Sequence, residues 1–282
     1  MAQVRVVTDS TAHIPEEKVE RLGIRVLPHT IYWDDNPFRD GIDISREEFF
    51  HRLRAEEESL CIVPPSVADF RRVYAELAQE TSSILSIHTS GRLSEACERA
   101  SQAAQAFLGR CQIAVVDSLT SSLGLGILVT AAAEAGAAGK SLDEVVHLMR
   151  GMIPHVFGAF LTGDMEYLER GGYIDHTQSI VGSMLGVKPF LVIDEGEIIP
   201  LEKVTTREEI VDWLVEFAEE FSTIEQLGVA QSGAERGEEM ESLLTELHSL
   251  FPGKEFPVFL YDPVLAYHIG PNSLGVIIYE GL

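Results

Sequence analysis

Small hydroxyl and acid side chains gather at three places: Asp9-Ser10-Thr11, Thr89-Ser90 and Asp117-Ser118. Each cluster follows an apolar run of strand length, over residues 4–8, 84–88 and 113–116. Hydroxyls and free backbone amides where a strand gives way to a helix make a cradle for an anion. The fullest of these loops is Ser90-Gly91-Arg92-Leu93-Ser94, ahead of a helix expected from about Glu95. Ser94 there has two readings: a hydroxyl donor to a ligand, or only the cap of that helix, a position serine favours. Asp9 and Asp117 open an alternative chemistry, in which one of them acts as base on a small anionic substrate.

The usual catalytic signatures are missing. The chain has no G-x-S-x-G, no H-E-x-x-H and no G-x-G-x-x-G, so no activated nucleophile stands beside its base. Gly139-Lys140-Ser141 resembles the end of a phosphate-binding loop, but Glu134 stands where the upstream glycine belongs. Cys61, Cys97 and Cys111 are odd in number and lack metal spacing, which suggests free thiols in a reducing compartment. The nine histidines show no ligand spacing either. His268 stands out because it precedes Ile269-Gly270-Pro271, a turn signal ahead of the last strand.

The elements that must hold these residues differ between the two halves. The first alternates strands with helices announced by Ser45-x-x-Glu48, Ser66-x-x-Asp69 and Ser141-x-x-Glu144. That alternation implies a doubly wound parallel α/β sheet whose strand ends share one edge, where ligands bind. The second half has hairpin character around Asp194-Glu195-Gly196-Glu197 and a helix capped by Thr206, so an α+β domain with antiparallel strands is expected. The 282 residues therefore divide into an N-terminal α/β domain, 1–152, and a C-terminal α+β domain, 153–282. With 21 basic against 45 acidic residues, the net charge of −24 disfavours nucleic acid and anionic membrane surfaces. No apolar stretch is long enough to span a bilayer and no leader pattern opens the sequence, so a cytoplasmic protein is expected.

An ordered set of short motifs carries a family resemblance along the chain. Thr8-Asp9-Ser10-Thr11-Ala12, Phe38-Arg39-Asp40-Gly41-Ile42-Asp43-Ile44, the run from Ser118 to Gly126, and Tyr167-Leu168-Glu169-Arg170-Gly171-Gly172 are four of them. Lys188-Pro189, Leu201-Glu202-Lys203-Val204 and His268-x-Gly270-Pro271-x-x-Leu274-Gly275 complete the set. Together they resemble the DegV family of bacterial fatty-acid-binding proteins. The resemblance implies a carrier, not an enzyme, that needs no cofactor. A long-chain fatty acid would bind between the domains, with its tail inside the N-terminal one. Its carboxylate would be held by hydroxyls at the sheet edge and presented to an ATP-dependent fatty acid kinase. By position, Ser94 and His268 match the family's binding serine and histidine, while Ser10, Thr11, Ser90 and Ser118 supply the other strand-end hydroxyls.

This chain departs from the pattern at three places. Ile62 stands where a threonine contacts the carboxylate, Tyr173 replaces an arginine, and Glu95 replaces a glycine after Ser94. Losing one hydroxyl contact to a charged group costs about 1.5–3 kcal/mol. An acyl tail of a dozen or more carbons contributes on the order of 10 kcal/mol before association costs. Tail binding thus survives Ile62, and Arg92 is a candidate for a compensating charge-assisted contact. An orphan paralogue with an altered head-group site is the remaining alternative.

Overall fold

The computed structural model describes residues 3–55, 59–204, 207–233 and 237–281. The first half contains β1 (Arg5–Asp9), α1 (Glu16–Leu22), β2 (Arg25–Leu27), β3 (Thr30–Trp33), β4 (Asn36–Arg39), α2 (Arg46–Ala55), β5 (Leu60–Val63) and α3 (Val67–Leu77). It continues with β6 (Ser83–His88), α4 (Ala96–Ala104), β7 (Gln112–Asp117), α5 (Ser122–Ala137) and α6 (Leu142–Met152). The second half contains β8 (Val156–Thr162), α7 (Met165–Arg170), α8 (His176–Leu185), β9 (Lys188–Asp194), β10 (Glu197–Val204) and α9 (Arg207–Glu219). It ends with β11 (Gln226–Gln231), α10 (Glu238–Leu250), β12 (Val258–Leu260), α11 (Pro263–Ile269) and β13 (Ser273–Tyr279).

The parallel sheet runs β2-β1-β6-β7. Its strands are apolar on both faces because both are covered. Val4, Val6, Leu85 and Ile87 pack on α5 and α6, while Val7 and Ile84 pack on α3 and α4. Local signals set the helix starts. Ser66 and Ser141 form reciprocal capping boxes with Asp69 and Glu144. The Glu48 amide donates to Ser45 Oγ at 3.1 Å, as the sequence predicts. Thr206, expected as a cap for α9, lies outside the described residues.

Two features of the fold were not expected. Strands β3, β4 and β5 build an antiparallel three-stranded sheet, in the order β4-β3-β5, with a turn at Asp34-Asp35 between β3 and β4. Pro37 argues against a central strand, and β4 is indeed an edge strand. Secondly, His268 does not sit in a turn. It belongs to α11, which Asp262 caps through the Leu265 amide and Pro263 opens.

The second sheet runs β10-β9-β8-β13-β11-β12, antiparallel throughout except for β11 beside β12. Helices α9 and α10 cover one face through Leu214, Leu243 and Leu247. The other face, with Phe160, Leu191 and Ile277, packs on Ile31, Trp33, Phe49 and Phe50 from the first half. One hydrophobic core therefore joins β3 and α2 to the second sheet.

Candidate functional site

In the parallel sheet the chain runs outward from β1 to β2, then returns to the other side of β1 for β6 and β7. The strand order reverses between β1 and β6, the place where open α/β sheets hold ligands. Here that crevice is filled by the protein itself. Asp9 is fully buried; its Oδ1 accepts from the Thr11 amide (3.1 Å) and hydroxyl (2.6 Å). Its Oδ2 accepts from His88 Nδ1 (2.9 Å) and the Thr89 amide (3.2 Å). Burial opposes ionisation, but the His88 hydrogen bond, the charges of His29 and His88 and the Thr11 hydroxyl outweigh it. The Asp9 carboxyl is held well below the usual carboxylate range. Ser86 Oγ lies 2.7 Å from His88 Nε2, so Ser86, His88 and Asp9 line up in the order of a catalytic triad. Ser86 is wholly buried and accepts the Tyr74 hydroxyl, so no substrate reaches it.

Beside this crevice, a cavity of about 250 Å³ brings Ile62, Ser94 and His268 to one place. β5 supplies Ile62, the loop after β6 supplies Ser94, and α11 supplies His268. Ser94 is not the cap of α4. Glu95 holds that position and makes no side-chain bond to the helix amides. The Ser94 hydroxyl instead lies 3.1 Å from Nε2 of the buried His29, whose Nδ1 is 3.5 Å from Ser10 Oγ. Burial pushes the His29 pKa down. Two charged groups stand in the cavity wall, Glu95 and Arg99, and they pair: Arg99 donates to Glu95 Oε2 (2.8 Å) and to Pro64 O (2.9 Å).

His268 is committed on both sides of its ring. Nε2 faces Leu93 O at 3.1 Å, and a carbonyl only accepts, so Nε2 carries the proton. Nδ1 is then the acceptor, and the Tyr173 hydroxyl donates to it at 2.9 Å. Burial lowers the His268 pKa.

The other expected residues are placed differently. Ser10 and Thr11 sit at the end of β1, bonded to His29 and Asp9. Ser90 is buried and donates to Gly196 O in the β9–β10 turn (2.7 Å), tying the two halves together. Ser118 donates to Thr120 O within its own turn (3.1 Å). Arg92 lies outside the cavity: its Nε pairs with Glu197 at 3.2 Å, both side chains more than half exposed. Asp117 accepts from the Leu119 and Gly91 amides, each at 3.0 Å.

Sequence reasoning missed His29, Arg46 and Arg99. His29 follows β2 much as Ser10 follows β1, so the strand-end rule reaches it. Arg46 is a cation in the first turn of α2, where the helix dipole disfavours one. The anomaly has a cause: Arg46 donates to Leu260 O (2.9 Å) and Ser10 O (3.0 Å), across the two halves.

A second cavity of about 510 Å³ is predominantly apolar, with Met165, Ile174, Val181, Leu185 and Val187 among its walls. Tyr173 lines it too. Among the described residues no group of three or more His, Cys, Asp or Glu could hold a metal ion. None of the described helices is long and apolar enough to cross a membrane.

The sequence profile of the DegV family, described as uncharacterised proteins, matches residues 3–281. A DegV domain-containing protein of Caldanaerobacter subterraneus is 30% identical over 99% of this chain and 100% of its own. A solved Thermus thermophilus structure, described as fatty acid binding of a DegV family protein, superposes with a TM-score of 0.85. It is 30% identical, covering 99% of this chain and 100% of that one. The Bacillus subtilis DegV structure, described as a fatty acid binding protein, gives 0.83 at 28% identity, covering 99% and 100%. The chain belongs to the DegV family.

Proposed function

We propose that this protein binds a long-chain fatty acid where its two domains, 1–152 and 153–282, meet. It is a cytoplasmic carrier that presents the bound carboxylate to an ATP-dependent kinase and does not itself transform it. The observation that carries this reading is the single cavity shared by Ser94, Ile62 and His268, with Arg99 in its wall. A serine hydroxyl and the uncapped start of α4 are suited to a carboxylate, and a ligand carboxylate would share the Arg99 guanidinium with Glu95. The 510 Å³ apolar groove beside it is suited to the chain. We place the tail there, in the second half, because side chains fill both faces of the parallel sheet. Solved relatives at 28% and 30% identity described as fatty-acid-binding support the ligand class.

The catalytic alternative finds little support in the acids it needs. Asp9 and Asp117 are both spent on protein donors. Burying roughly 0.8 kcal/mol per methylene lets the tail dominate affinity, with the head group fixing orientation. Mass spectrometry of protein purified without added lipid, under native and then denaturing conditions, should release a bound fatty acid. Ser94→Ala should weaken binding by roughly ten- to a hundredfold, the loss of one hydrogen bond to a charged group. No acyl ligand and no uptake of added fatty acid would sink the reading. If binding holds but kinase and ATP yield no acyl phosphate, only the presentation step fails.

A further inference from the structure

Tyr173 lies between the two cavities. Its ring lines the apolar groove, and its hydroxyl reaches His268, which lines the head-group cavity. At about 250 Å³ the head-group cavity falls short of the roughly 300–1,000 Å³ of ordinary ligand sites. A long chain anchored at Ser94 must therefore extend past the Tyr173–His268 contact to reach the groove. That contact is closed in this structure. His268 Nε2–H is held by Leu93 O, and Nδ1 is covered by the Tyr173 hydroxyl, so the imidazole offers a ligand no free donor.

We infer that Tyr173 is a latch on the lipid path. Its hydroxyl holds His268 in a ligand-free arrangement that has to open before a fatty acid can occupy both cavities. The inference rests on the fatty-acid reading of the site. It makes Tyr173 a specificity-determining residue. Only a ligand whose tail gains enough from the groove opens the latch, so short acids that fit the head-group cavity alone gain nothing from it. The latch sits on a short support: Tyr173 follows Gly171-Gly172, and its ring packs so closely on Gly171 that a Cβ there would overlap it. Its amide is held by Leu168 O at 2.9 Å. The phenol is thus positioned by the end of α7, and His268 by α11.

The latch has a signature that an ordinary binding contact lacks. A hydrogen bond that must break before binding reduces apparent affinity by the fraction of protein that is open. Removing it should tighten binding. We would measure the affinity and the release rate of hexadecanoic acid with the full chain of the wild type and of Tyr173→Phe. Tyr173→Leu, which lacks both hydroxyl and ring, serves as a second variant, and thermal melting reports folding. The expected result is binding tighter by roughly two- to tenfold in Tyr173→Phe, the range set by one net hydrogen bond. Octanoic acid should show no such gain. Unchanged or weaker hexadecanoic acid binding in folded variants overturns the latch while leaving the carrier reading intact. Failure of the wild type to bind fatty acid at all would instead overturn the reading on which the latch rests.

Discussion

Asp9 and Asp262 are both fully buried, yet their protonation equilibria move in opposite directions. Asp9 has four donors from Thr11, His88 and Thr89, which overcome burial and keep it ionised. Asp262 has the Leu265 amide and the Ser121 hydroxyl; burial dominates over these and over the Arg46 charge, and its pKa is pushed up to about 6. Their linkage to stability has opposite sign. The Asp9 contribution is present above the unfolded value near 3.9 and is lost as pH falls through its depressed folded value. The Asp262 contribution is present below that unfolded value and is lost as pH rises towards about 6. Two units correspond to about 3 kcal/mol. Asp262→Asn keeps an oxygen for the α11 cap and removes the charge. Urea unfolding should find the variant close to wild type at pH 4 and more stable by up to about 3 kcal/mol at pH 8. An Asn variant no more stable than wild type at pH 8 would refute this account.

Helix α5 positions the strand ends by direct backbone contact. A Cβ at Gly126 would overlap the His13 carbonyl, and the His13 amide donates to Ser122 O at 3.0 Å. The loop after β1 thus rests on α5 through a glycine. Gly126→Ala should push the two apart and cost about 1–3 kcal/mol, the range for overpacking, read as a lower thermal midpoint. An unchanged midpoint would mean that α5 does not seat the loop. Features governed by neighbours in sequence were the legible ones. The caps at Ser66 and Ser141, Gly23 ending α1, and the parallel strands all follow from local pattern. The β4-β3-β5 sheet was not legible, because its strands are four residues long and one contains Pro37. Helix α11 was marked by Asp262-Pro263, a start signal hidden by the glycine and proline that follow. At the site, Ser94 could be found from its loop and His268 from the resemblance. Arg99 could not, since only the fold brings the second turn of α4 beside α11.

At the scale of the molecule, the two halves share one core and several polar ties. The core around Phe160 and Trp33 joins β3, β5 and α2 to the second sheet, and Ser90 reaches Gly196 while Ser121 reaches Asp262. Arg46 is the most connected of these ties. It bonds the carbonyl that ends β12 to the one that follows β1, and its charge draws down the pKa values of Asp40 and Asp262. Burial nevertheless keeps both carboxyls above their ordinary value. Because that core is continuous, calorimetry should record one unfolding transition for the whole chain, not two. Arg46→Met keeps much of the apolar stem but removes the donor to Leu260 O and Ser10 O and the positive charge that draws down the pKa values of two buried acids. The cost should be about 3 kcal/mol or more, on the scale of hydrogen bonds to a charged group. At roughly 2–4 °C per kcal/mol for a protein near this size, the midpoint should fall by about 10 °C. The released strand ends should also exchange their amide hydrogens faster, at Ser10 and Tyr261 above all, while β9 and β10 stay protected. Two separate transitions in the wild type would mean that the halves fold independently. A variant with an unchanged midpoint would mean that Arg46 does not clamp them.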